Sequence, residues 1–362
     1  MRKLLLLTAA LTLIAAVPPS PASSGGACNP YTQGSWVVRT AFPPPGVVRS
    51  WGTFFPANGR FYAMGGRASD AGGSDYVNPR EYNPITEVWT TKAAAFANGQ
   101  VNNMVGGVLT FGATPFIVVV GGSAAGAATA TADVRQYDPV TDSLTVLATD
   151  PWPGNVGGTV LPGGGAVFNN KLYVLGGFNI NVSMTTQIYQ FDPAAAPGSR
   201  WTLKTAALPA PGLGYIPTAT SGNFIYLAGG SLWDPVALII DSTSSLRYDP
   251  TLDAITTIAT IPRATGETRA VTQPFDGSIW VLGGGRTLPN PSNEVDVYLP
   301  ASDTWMLAPS FSTARRNLVA DVDPATGMIW ATGGYGSAGT PVAINEEFSC
   351  VIPVELMSFG VE

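Results

Sequence analysis

The sequence predicts an all-β fold built from six similar units, and three observations predict it. Only 12% of the 362 residues are charged, against about a quarter in an average soluble domain, while glycine (42) and proline (31) are abundant. Aromatic residues make up 10% of the chain beside many Val and Thr, a composition that suits short, half-buried strands joined by tight turns. Finally, an apolar run ending in two glycines recurs six times: FYAMGG, IVVVGG, LYVLGG, IYLAGG, IWVLGG and IWATGG, with first glycines at Gly65, Gly121, Gly176, Gly229, Gly283 and Gly333. Coiled coils, helical bundles and charged disorder are excluded by the same numbers. Histidine is absent, which removes every His-dependent nucleophile, general base and metal site.

The first element is a leader. Arg2 and Lys3 precede an apolar run from Leu4 to Val17, followed by small residues and prolines, the layout of a secretory signal peptide over residues 1–24. The run is too short to span a bilayer, which takes about 20 residues. A secreted protein, extracellular or periplasmic, is therefore expected. Without Arg2 and Lys3 the chain keeps 16 basic against 24 acidic residues, a net charge of −8, so neither a nucleic acid nor an anionic membrane surface is an expected partner. No second stretch is long and apolar enough for a membrane span.

The repeats come next. Successive first glycines lie 56, 55, 53, 54 and 50 residues apart, and each pair is followed by a variable loop and a strand ending in an aromatic: Tyr82, Tyr137, Phe191, Tyr248, Tyr298 and Phe348. Seven residues on stands a large apolar side chain (Trp89, Leu144, Ile255, Trp305), or ten residues on in the third repeat, where an insertion leads to Trp201. The bridging turns, such as YNPITEVW and YDPVTDSL, use Pro with Asn or Asp for a fixed φ and side chain to backbone bonds. Strand, double glycine, Tyr and Trp in units of about 50 residues resemble the kelch repeat. The resemblance implies that each unit is a four-stranded blade and that six blades pack around a channel. The rings are expected to fill the wedges between blades.

The sixth unit lacks its own Trp strand, and the segment CNPYTQGSW supplies an orphan one, with Asn29, Pro30, Thr32 and Trp36 echoing Asn83, Pro84, Thr86 and Trp89. The expected architecture is thus a six-bladed kelch β-propeller over residues 28–352, closed by an N-terminal strand that completes the last blade. Cys28 and Cys350 then fall in one turn, and an oxidising compartment would join them in a disulfide. A lipoprotein role for Cys28 fits less well, because no Leu stands three residues upstream. Residues 353–362 form a short tail whose PVELMSF stretch resembles a segment following the main domain of exported bacterial proteins.

Loops that lead into each unit and loops that follow each double glycine should meet at one rim, where ligands would bind. The lead-in segments offer Arg49, Asn102 beside Asn103, Asn155, Tyr215, Glu267 with Arg269, and Arg315 with Arg316. Arginine there suits a carboxylate-bearing or hydroxylated ligand through its forked donors. The expected role is a monomeric binding or scaffold module for glycan or protein ligands, without metal or cofactor. The alternative rests on a resemblance in blade number and export to the sialic-acid mutarotases, which implies proton transfer on a sugar by Glu267 with Arg269. A copper radical oxidase of this scaffold would need histidines, and no sialidase Asp box is visible. Asp70 and Asp75 on a glycine-rich loop could bind calcium but more often just solvate such a turn. Asn181 heads an N-glycosylation sequon.

Non-reducing peptide mapping of the exported protein is expected to recover a peptide joined through Cys28 and Cys350. Free thiols at both positions would overturn the pairing.

Overall fold

Six four-stranded antiparallel sheets form the framework of the computed structural model, which describes residues 29–287 and 290–350. The expected leader, Cys28 and the tail lie outside the described residues. The innermost strands are Trp51–Phe55, Val105–Phe111, Val160–Phe168, Thr218–Ser221, Arg269–Thr272 and Val319–Val322, and consecutive ones pack side by side around an axis. Each blade then runs outward strand by strand. The fold is a six-bladed β-propeller. In the sixth blade the outermost strand is Ser35–Arg39, which pairs with Asn345–Ser349 in a register that sets Trp36 opposite Phe348. The first described strand thus completes the last blade, as the sequence predicts. Among the described residues no helix is long and apolar enough to cross a membrane.

The second strand ends at the double glycine in five blades and runs on through it to Asn179 in the third, and the first blade shows why the pair is needed. Gly65 and Gly66 both hold positive φ (66° and 86°), a region that L side chains adopt only at a cost. A Cβ on Gly65 would stand 2.5 Å from the carbonyl oxygen of Val101, in the segment leading into the second blade. That carbonyl instead accepts a hydrogen bond from Gly66 N at 2.9 Å, so the pair stitches one blade to the next.

The aromatics serve the outer half of the same seams. Tyr82, Tyr137, Phe191, Tyr248, Tyr298 and Phe348 are buried, whereas the tryptophans are only half-buried, which corrects the expectation that both rings fill the wedge. Each tryptophan seals the seam from outside through its indole N–H. Trp36, Trp89, Trp201 and Trp305 donate to the backbone oxygens of Pro309, Thr40, Asp150 and Ala259, each just past the outer strand of the preceding blade. A carboxylate helps from the turn: Asp303 Oδ1 accepts from Ala259 N (2.7 Å) and from the Tyr298 hydroxyl (2.7 Å), and Asp142 and Asp253 repeat the arrangement in the second and fourth blades. Leu144 and Ile255 have no such donor.

Trp305→Phe should cost about 1 kcal/mol, the net worth of one hydrogen bond. Trp305→Ala should cost about 3 kcal/mol, because it also removes the ring. Urea denaturation checks both, and a loss below about 0.5 kcal/mol for the alanine variant would mean that the seam does not depend on this residue.

Candidate functional site

One residue from each blade stands at the level of the double glycine, leading into the innermost strand or, for Pro162, lying within it: Arg49, Asn103, Pro162, Tyr215, Glu267 and Asn317. Together they ring the axis and line its narrowest part, a space of about 30 Å³. Five of them hold left-handed backbone: φ is 57° at Arg49, 60° at Asn103, 47° at Tyr215, 52° at Glu267 and 55° at Asn317. Asn tolerates this region, but Arg, Tyr and Glu pay about 1 kcal/mol or more each. Strain held at three chemically able side chains around one axis marks a candidate site. Backbone hydrogen bonds keep it in place, running Asn103 N to Arg49 O, Arg49 N to Asn317 O, Asn317 N to Glu267 O and Glu267 N to Tyr215 O.

Glu267 is the charge at the centre of this ring, and its side chain has no exposed surface. Arg316 Nη1 donates to its Oε2, where Asn317 Nδ2 also donates at 2.9 Å, while Arg286 Nη1 and Arg49 Nη2 lie 3.5 and 3.9 Å from its Oε1. Burial pushes the Glu267 carboxyl up, but Arg49, Arg316 and Arg286 outweigh it and hold the group below the usual carboxylate range. The converse applies to Arg49, which burial alone would lower and which Glu267 raises. Arg49 Nη1 also donates to Asn103 Oδ1 (3.2 Å), and its guanidinium carbon lies 5.9 and 5.8 Å from the ring centres of Tyr215 and Tyr335.

Above the ring opens a cup of about 300 Å³. Arg49, Arg67 and Arg286 line it, while Arg316 stacks on the Tyr335 ring at 4.7 Å and pairs with Glu267. On the other side Tyr215, Phe178 and Trp233 form an apolar wall, with Phe178 5.6 and 5.5 Å from its two neighbours. Asp70 accepts from Arg67 Nη2 and from the Tyr335 hydroxyl. Although burial acts to raise it, the Tyr335 hydrogen bond and the charge of Arg67 hold the Asp70 carboxyl low. Three guanidiniums thus line the cup with one carboxylate, a positive site on a chain whose net charge is −6.

Of the residues expected at the rim, Arg49, Asn103, Tyr215, Glu267 and Arg316 meet here. The others do not. Asn102 is buried one residue short of the ring, its Nδ2 donating to Asp75 Oδ1 (2.5 Å) and Ser123 O (2.8 Å). Asn155 braces a loop by donating to Ala130 O and accepting from Val160 N. Arg315 points into the sixth blade, fully buried, with Nη2 2.6 Å from Glu346 Oε2 and further bonds to the carbonyl oxygens of Gly333, Ile344 and Ala331. Strand alternation explains the difference, since successive side chains face opposite sides. Arg269 sits one layer below the ring, where Nη2 donates to Ser50 O (2.7 Å), so it does not pair with Glu267. Asp75 is occupied by Asn102 and by Ala125 N, and among the described residues no group of three or more acids or cysteines could hold a metal. Arg67, Arg286 and Tyr335 were missed by sequence reasoning. Arg67 and Tyr335 follow their double glycines directly, and Arg286 follows with one glycine between.

Glu267→Gln should destabilise the protein by about 3 kcal/mol at pH 7, because it strands three arginines around a neutral group. A carboxyl held below its unfolded pKa contributes stability above that value and loses it as pH falls, so the gap in melting temperature should begin to narrow as pH falls through about 4.5 and keep narrowing below it. A difference that persists unchanged at pH 3 would sink the ion-pair assignment.

The solved structure titled "Structure of YjhT" is similar to this chain at a TM-score of 0.63 and 18% identity, covering 85% of this chain and 96% of the other. No protein-family model and no curated protein matches the chain. The likeness carries the propeller fold.

Proposed function

We propose that this protein is an exported kelch-type propeller that binds a small, carboxylate-bearing, hydroxylated ligand, a sugar acid or the acidic end of a glycan, in the cup above the channel ring. The observation that carries the reading is the convergence of Arg49, Arg67 and Arg286 from two blades on a cup lined by a single carboxylate, Asp70, with Arg316 of a third blade paired to Glu267. Guanidiniums bind a carboxylate in a forked geometry, and the wall of Tyr215, Phe178 and Trp233 suits the apolar face of a sugar ring. The cup's volume lies at the lower end of the range for small-molecule sites. Export rests on the leader and on the proposed Cys28–Cys350 disulfide, the propeller occupying residues 28–352 between the leader and the tail.

The second reading, sugar mutarotation with Glu267 as proton carrier, draws on that acid's place on the axis. Its oxygens are already taken by arginines and Asn317, and a carboxylate held low in pKa is a weak base. Arg269 does not reach it. Binding is therefore the favoured reading.

Calorimetric titration with N-acetylneuraminate, glucuronate and glucose separates the outcomes. The acidic sugars should bind and glucose should not, and Arg286→Gln should weaken the acids by about 1.5 to 3 kcal/mol. Failure of every acidic sugar, or equal binding after loss of Arg286, would refute the cup as the site. Proton NMR of freshly dissolved N-acetylneuraminate tests catalysis, where faster anomer exchange that is lost in Glu267→Gln would favour the second reading.

A further inference from the structure

Below the ring the channel widens again into a second chamber of about 600 Å³, opening on the face opposite the cup. Its wall is built largely of small or apolar residues on the innermost strands, among them Gly52, Gly106, Gly165, Ala219 and Ala320. The threonine hydroxyls on this wall are committed to neighbouring blades: Thr218 donates to Gly165 O, Thr220 to Val167 O and Thr272 to Thr220 O. They offer few donors to a guest. The cation here is Arg269, at the closed end beneath the ring, where it lines both the constriction and the chamber. One of its five N–H bonds is spent on Ser50 O, and none of its nitrogens is a buried atom without a partner. Its counter-charge is Asp321, whose Oδ2 accepts from Phe54 N (2.7 Å) and Oδ1 from Val322 N (2.9 Å).

We propose that this chamber is a second ligand site, for a small amphipathic monocarboxylate whose head meets Arg269 and whose apolar body lies along the glycine- and alanine-rich wall. A sugar would find too few hydrogen-bonding partners on that wall, and an apolar molecule without a charge would leave the remaining N–H donors of Arg269 unpaired in a low-dielectric space. An anionic head with an aliphatic or aromatic tail satisfies both ends.

Asp321 makes the site sensitive to pH. Burial pushes its carboxyl up to about 6, against the hydrogen bonds from Phe54 N and Val322 N and the charge of Arg269. The strands packed against it, Trp51–Phe55, Ile329–Thr332 and Arg269–Thr272, bring no titratable side chain other than Arg269. Above that pH the ionised Asp321 neutralises Arg269 and repels a second carboxylate. Below it Asp321 is neutral, the guest's carboxylate is still ionised, and binding tightens.

The test uses the whole protein with octanoate as probe and octanol as its uncharged control, followed by ligand-observed NMR and calorimetry at pH 5 and pH 8. Octanoate should bind saturably at pH 5, weaken severalfold at pH 8, and be unaffected by saturating N-acetylneuraminate, while octanol should bind at least about tenfold more weakly. Arg269→Met should cost octanoate about tenfold or more. Asp321→Asn should remove the pH dependence and keep the tighter affinity. Equal binding of octanol and octanoate to the unmutated protein would overturn the proposal without recourse to any variant, as would octanoate that binds Arg269→Met undiminished, competes with N-acetylneuraminate, or fails to bind at pH 5.

Discussion

The structure hangs on a belt of backbone hydrogen bonds around the axis. Each ring residue from Asn103 through Arg49, Asn317 and Glu267 gives its N–H to the carbonyl of the neighbouring blade's ring residue, ending at Tyr215 O. For those groups to face one another the backbone must turn left-handed at every step, and a continuous strand cannot provide that turn. Five of the six positions accept it. The third blade contributes Pro162, whose fixed negative φ and missing N–H break the belt, and there the connection passes instead through Ile216 N to Gly163 O. The side chains at these turns are thrown toward the axis, so the constraint that joins the blades also creates the cluster that fills the channel.

Electrostatics follow from that placement. A carboxylate with no exposed surface would be untenable alone, and Glu267 persists in ionised form because three guanidiniums reach it from the first, fifth and sixth blades. The same interaction holds the arginines still. An arginine fixed by an internal partner has already lost its rotamer entropy, so a ligand that meets its remaining donors does not bear that cost again. Glu267 thus fixes the guanidiniums around it, and its own oxygens are already engaged by Arg316, Asn317, Arg286 and Arg49.

The architecture was readable in the sequence because the double glycine and the aromatic recur in register, and because an orphan Trp strand at one end matched a missing one at the other. The site was harder. Counted back from the first glycine, the ring residues lie 16, 18, 14, 14, 16 and 16 positions away. The hairpin between the first two strands varies in length by twos, which preserves the face of the strand but defeats a fixed offset. Arg49, Tyr215 and Glu267 stand out regardless, as large or charged residues beside small ones. In the second and sixth blades two polar residues sit side by side, and nothing in NNM or RRN says which one faces the axis. In the third the glycine-rich stretch around Pro162 displaces the reading by seven residues, to Asn155.

The closing strand carries a kinetic consequence. Ser35–Arg39 emerges from the ribosome some three hundred residues before its partner Asn345–Ser349. Until that partner appears the strand has no native edge to join, and the sixth sheet, once made, exposes an unpaired edge of its own. Five blades can assemble by local contacts between consecutive segments, but the last step is a loop closure spanning nearly the whole domain, which places this molecule among slow, high-contact-order folders. A second chain at high concentration can offer the same strand sooner, so the natural misassembly of this protein is an exchange of first strands between two nascent rings.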